Sequence, residues 1–355
     1  MKQPATVYIG TYTRREPHVD GKANGIYVYL LDLETGRLAY HSTAVGVVNP
    51  SFLTLLPSGD FLVAVHEVAD GAVSTFAVDA ATGDLTFLNQ QSTWGHAPCY
   101  VSTDPGGRFV LAANYVSGNV CVLPVQADGR LAPASDNQQH HGHGPDPRQE
   151  GPHAHCIVPD GHGRRFLAAD LGTDQIMVYG LDVMAGKLLP GTPPIQLPPG
   201  SGPRHLCFHP DGRIVYVLAE LTSQVVVYQY DAESGVLHPQ QTISTVPPTY
   251  TGANTGAHVA VSPDGKFLYA SNRGHDSLVI YAIEAETGWL TLVGHEPTQG
   301  RTPRHFTLDG HGRYLLVANQ DSDTVVVFRR DVETGGLTAV APPTPIPTPA
   351  CLYVH

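Results

Sequence analysis

The chain has 355 residues, with 20 Lys and Arg against 32 Asp and Glu, giving a formal charge of −12. An acidic chain with no Lys/Arg run lacks the basic stripe of a nucleic-acid surface, and a hydrophobic fraction of 42 % argues against a mainly disordered chain. Its 37 glycines and 30 prolines point to a fold with many turns.

The first ten residues, MKQPATVYIG, hold no apolar run of signal-peptide length. Nowhere does the chain approach the roughly 18 apolar residues of a membrane span. The expectation is a cytoplasmic protein without a membrane partner. Five cysteines (Cys99, Cys121, Cys156, Cys207 and Cys351) form no CxxC, which fits small buried thiols in a reducing compartment better than disulfides or a zinc ribbon.

Residues 1–45 read as three strands, Val7–Thr11, Ile26–Leu31 and Leu38–Thr43, with no innermost strand ahead of them. A repeat then begins: a proline, six variable residues, a PDG-type turn, an aromatic or Ile, and an apolar run. Copies start at Pro50, Pro98, Pro152, Pro203, Gly256 and Pro303, with a truncated copy at Pro349, so the starts are 46 to 54 residues apart. A second signature (TGRL, TGDL, DGRL, AGKL, SGVL, TGWL and TGGL) sets glycines at Gly36, Gly83, Gly129, Gly186, Gly235, Gly288 and Gly335. In it, glycine supplies a tight hairpin turn and Leu begins the next strand.

In the copy starting at Pro203, strands are predicted at Arg204–Phe208, Ile214–Ala219, Gln224–Tyr230 and Leu237–Ser244. The stretch Asp136–Glu150, DNQQHHGHGPDPRQE, is the longest break and is expected to be a solvated loop at a rim. Its His140, His141 and His143 are of metal-ligand type, but their spacing matches no closed site. Residues 346–355 hold one strand near Ala350–Val354, which should supply the missing innermost strand of the N-terminal unit. The fold class is therefore all-β. It is a single domain, 1–355, folded as a seven-bladed β-propeller of four-stranded antiparallel blades, with the ring closed by the C-terminal strand joining the N-terminal blade.

Numbering each copy from its leading Pro or Gly as zero exposes columns that break the pattern. Position three is Leu53, Val101, Leu206, Val259, Phe306 and Leu352, but His155 in the third copy. A ring there is either a satisfied core histidine or an acid/base group at the channel mouth. Position one holds His153, Arg204 and Arg304, and position two adds His205, His258 and His305. The column after the second strand is Glu67, Tyr115, Leu171, Glu220, Arg273 and Gln320. These arginines and Glu220 could be interblade bridges, or could line one mouth of the channel. Asn114, Asp170, Asn272 and Asn319, just before that column, read best as turn caps. Asn272 is also kept as a candidate at the substrate edge. A local cationic pocket in an acidic chain suits a small anionic substrate. His153-x-His155 with Glu220 leaves a metal conceivable, yet no metal or organic cofactor is required. No GxGxxG, Walker or GxSxG motif supports nucleotide or serine-hydrolase chemistry.

The pieces YIGTYT, EGPHAHC, GPRH, PDGRIVYVLAEL, SPDGKFLYASNRGHDS and TPRHF resemble the cytoplasmic seven-bladed propeller family of 6-phosphogluconolactonases, along nearly the whole chain. That family is similar to fungal carboxy-muconate lactonizing enzymes. The resemblance points to His155 in PHAH, Arg204 in GPRH, Glu220 in LAEL and Arg273 in SNRG. It implies hydrolysis of a small anionic sugar lactone, 6-phospho-D-glucono-1,5-lactone. His155 is then the expected general base, with His153 sharing or relaying that role. Glu220 would orient the base or hold the water, and Arg204 would stabilise the oxyanion. Arg273 and Arg304, with His305 and Asn272 nearby, would grip the phosphate or a hydroxyl edge. The alternatives are a related lactonase or a carboxy-muconate-type cycloisomerase, and a non-catalytic propeller scaffold.

Overall fold

The computed structural model describes residues 4–355. Seven four-stranded antiparallel sheets follow one another along the chain, two of them with a short fifth segment. The first blade contains Ala5–Thr11, Gly25–Leu31 and Leu38–Val45, and its innermost strand is the last of the chain, Pro349–Val354. Val7 pairs with Val354 and Ile9 with Leu352, which closes the ring. A two-stranded hairpin, Arg15–Glu16 with Val19–Asp20, projects from this blade.

Local chemistry explains the outer hairpins. In the TGRL turn the Asp32 carboxylate accepts the backbone N–H of Glu34 and Thr35, and Gly36 follows at a φ of 74°. Asp79, Asp182, Asp231 and Asp331 repeat the arrangement, as Asx turns do. The same turns join neighbouring blades. Tyr8 donates its hydroxyl to Gly83 O, Tyr216 to Gly288 O and Tyr269 to Gly335 O. Apolar side chains fill the space between blades, as with Phe267, Tyr269, Leu315 and Phe328 of the sixth and seventh. Both faces of each sheet are thus buried, which is why runs such as VVVYQY do not alternate.

Two expectations need correction. The Asp136–Glu150 stretch is not wholly a loop: Asp136–Gln139 forms the outermost strand of the third blade. His140 is also not solvated. It is buried, with Nδ1 2.7 Å from Asp170 Oδ2 and Nε2 bonded to the Tyr179 hydroxyl, whereas His141 and His143 are exposed. The second correction concerns the repeat frame. Ala154 pairs with Asp170 and Cys156 with Ala169, leaving His155 as the extra residue of a bulge. Arg204 and Arg304 occupy the same bulge position in their blades, as Cys99 does in its own. His155 therefore belongs in column one with the arginines, not in column three. Counting from Pro152 ran two residues early because the innermost strand begins at Ala154.

Candidate active site

A cavity of about 390 Å³ opens on the face where the innermost strands begin. Two features direct side chains into it. The bulges of the third, fourth and seventh blades bring Cys99, His155 and Arg304 to its lining, a common use of bulges beside active sites. The ends of the second strands reach the same face and add Glu67, Tyr115, Glu220 and Arg273.

One wall is organised around Glu220, which is 1 % exposed. Arg148 lies 2.7 Å from its Oε1, while Arg204 Nε and Arg273 lie 2.9 Å and 2.8 Å from its Oε2. Burial alone would raise the Glu220 pKa. The three guanidiniums outweigh it and hold the carboxylate well below its usual range. Burial, together with the Arg273 charge, pulls the Arg204 pKa down to about 9.

The opposite wall is organised around Glu67. Tyr12 donates its hydroxyl to Glu67 Oε2 at 2.8 Å, and Ser51 donates to the same oxygen. His18 Nε2 lies 3.6 Å and Arg304 4.0 Å from Oε1, and the Arg304 guanidinium sits 5.3 Å from the centre of the Tyr12 ring. His155 stands between the walls. Its Nδ1 is 3.6 Å from Cys99 Sγ, and its ring meets Tyr115 edge-on at 5.4 Å. Burial first, then the Arg204 charge, pushes the His155 pKa well below the usual imidazole value. Burial pushes the Cys99 thiol well up, so it stays protonated.

Beneath this layer the next residue of each inner strand forms a second ring that plugs the channel. Phe52 stacks on Tyr100 at 4.2 Å, and His258 on His305 at 4.0 Å. His205 Nδ1 is 2.8 Å from His258 Nδ1. Burial takes the His305 pKa down to about 3 and holds His205 and His258 well down. The floor of the cavity is therefore uncharged.

The residue-6 to residue-354 span matches the family model described as "Lactonase, 7-bladed beta-propeller". The chain belongs to that family. The 6-phosphogluconolactonase of Bacillus subtilis is 36 % identical over 84 % of this chain and 83 % of its own. That of Formosa agariphila is 34 % identical, with 84 % of each chain covered. The solved structure of a periplasmic gluconolactonase from Pseudomonas aeruginosa superposes with a TM-score of 0.93 at 34 % identity, covering 99 % of both chains.

Within this lactonase ring, the candidates from sequence separate into two groups. His155, Glu220, Arg273 and Arg304 line the cavity. Arg204 is buried behind Glu220, with a nitrogen donating to Ala257 O, and is not among the lining residues. His153 flanks the cavity: its ring stacks on Tyr115 at 4.5 Å, with Nδ1 bonded to Tyr115 O. His305 belongs to the floor. Asn272 is fully buried, donates to Thr245 O and accepts from the Thr245 hydroxyl, which is a structural role. Among the described residues no group of three or more His, Cys, Asp or Glu side chains is placed to hold a metal ion.

The cavity-lining groups Glu67, His18 and Arg148 escaped selection from sequence, as did Tyr12, which backs Glu67. Glu67 stood in the same repeat column as Glu220 and could have been chosen on that ground. Tyr12 directly follows the strand Ala5–Thr11 and so falls in that same column, while His18 lies in the projecting hairpin, outside the repeat. Arg148 lies in the non-repeating stretch and carried no signal.

Proposed function

We propose that the protein hydrolyses 6-phospho-D-glucono-1,5-lactone to 6-phosphogluconate. The observation that carries this reading is one cavity that brings His155 together with three cationic side chains, Arg148, Arg273 and Arg304, in an acidic protein. The family and the names of its relatives support the lactone as the reacting group.

In this reading water adds to the lactone carbonyl carbon, and His155 takes its proton as general base. A depressed imidazole pKa keeps the base neutral at physiological pH. The charge that builds on the carbonyl oxygen is taken by Arg273, whose buried Nε lacks a protein hydrogen-bond partner. The tetrahedral species collapses by breaking the bond from carbonyl carbon to ring oxygen. Protonated His155 returns the proton to that oxygen, giving a free hydroxyl and a carboxylic acid that releases its remaining proton to solvent as the carboxylate. Arg148, at the mouth and 45 % exposed, suits the phosphate. Glu220 holds Arg148 and Arg273 in place, and Arg204 braces Glu220 from behind. Five free cysteines, four of them buried, support a cytoplasmic location in the same proposal.

The test is hydrolysis of the phospholactone corrected for spontaneous loss, comparing the protein with its His155→Ala variant. The variant should lose about 10²-fold or more in kcat. An unchanged kcat in a folded variant removes His155 from the chemistry. Turnover of tricarboxylic lactones instead of the phospholactone would favour the cycloisomerase-type alternative.

A further inference from the structure

The same face of the propeller carries a second concavity, a groove of about 510 Å³ between the second and third blades. Its wall runs on into that of the catalytic cavity. His96 and Ser117 line the groove, while the adjoining Ala97 and Val116 line the cavity. The chemistry of the two differs sharply. The cavity is rich in arginine, whereas the groove is lined by no Lys or Arg and is edged by Gln90, Asn119, Asp70 and His96 around Trp94.

Trp94 is the unusual residue. Its side chain is 53 % exposed, and its backbone has a φ of 52°, a region that bulky side chains seldom adopt. The conformation is set by the blade junction and not by the indole. Thr93 N–H bonds to Gly71 O, and Thr298 N–H bonds to Asp276 O one residue before Gln299. Gln299 thus holds the equivalent place between the sixth and seventh blades, at a φ of 56°. An indole there gains little burial and suits the backbone poorly, so fold stability gives no reason for it.

We propose that this groove is a binding subsite for a neutral pyranose ring, contiguous with the catalytic cavity. The indole offers an apolar platform for the C–H face of a sugar, and the amides and Asp70 offer partners for its hydroxyls. Resting on the lactonase reading above, the substrate class extends to aldonolactones that carry a second sugar. The lactone ring occupies the cavity and the second ring lies on Trp94. The bonds made and broken are those already described for the lactone.

Two readouts test this. The chain has two tryptophans, so in a Trp289→Phe background the emission comes from Trp94. Titration with cellobiose should change that emission saturably, and a response no different from that to glycerol overturns the subsite. Next, kcat/KM is compared for cellobiono-1,5-lactone and 6-phosphogluconolactone. Trp94→Ala should lower the value about ten-fold for the disaccharide lactone and leave the phospholactone value unchanged. Equal losses on both substrates, or no hydrolysis of the disaccharide lactone by a protein active on the phospholactone, overturn the extension. A protein inactive on the phospholactone would sink the function proposed above, and the cellobiose titration would still decide the subsite.

Discussion

Glu220 carries one negative charge against three guanidiniums, and two of those guanidiniums have different jobs. Arg204 is buried and ion-paired away from the cavity, so Arg204→Ala should act mainly on stability. Breaking one arm of a buried ion-pair network costs about 3 kcal/mol, readable as a lower urea midpoint. Arg273 lines the cavity, so Arg273→Ala should lower kcat about 10²-fold while shifting that midpoint less. Urea unfolding and kcat measured on both variants check the division, and an Arg204→Ala protein of unaltered stability would contradict it. The pH profile follows from His155. Its folded pKa lies well below the free value of about 6.5, because burial and Arg204 oppose the imidazolium. The active form is the neutral one, so activity is complete above about pH 6.5 and is lost only as pH falls to the depressed value. The profile of kcat/KM against pH should show no acid limb near 6.5, and a limb there would count against His155 as the base.

At the scale of elements, the inner-strand bulge and the outer TGxL turn divide the work. The bulge aims side chains at the axis. The turn fixes blade spacing, because each glycine packs against the neighbouring blade. A Cβ built on Gly129 would sit 2.2 Å from the Phe61 ring, at a φ of 81°. Gly129→Ala should therefore destabilise by about 1–3 kcal/mol through strain and overpacking. It lies at the outer edge of its blade, so kcat of the folded protein should not change. Thermal unfolding and an activity assay at low temperature together test this, and an unaltered melt would show that the turn yields freely.

At the scale of the whole molecule, the site exists because the ring closes. Groups facing the cavity come from every blade, from His18 of the first to Arg304 of the seventh. The closing strand, Pro349–Val354, contributes none of the cavity lining, yet it completes the first blade and buries Ala350, Cys351 and Leu352. A chain ending at residue 348 would expose the unpaired inner edge of Ala5–Thr11. It should lose its cooperative melt and its activity together, as followed by circular dichroism and lactone hydrolysis. Full activity in the truncated chain would show that closure is dispensable.

The repeated turns, the number of blades and the closing strand were legible in the sequence, because turn chemistry acts over four or five residues and its glycine recurs in all seven copies, with an Asx-turn Asp ahead of it in five. Glu220, Arg273 and Arg304 were legible as charged members of repeat columns that fall at one end of the barrel. His155 was found too, but in the wrong column, since a proline-based count cannot see where a strand begins or where a bulge inserts its extra residue. Only the tertiary structure decided that Arg204 stands behind Glu220, that His140 is locked inside the fold, and that Glu67 and Arg148 face one another's walls across the cavity. Those facts depend on which side chains a closed ring brings within a few ångströms of one another, and neighbours in sequence carry no trace of that distance.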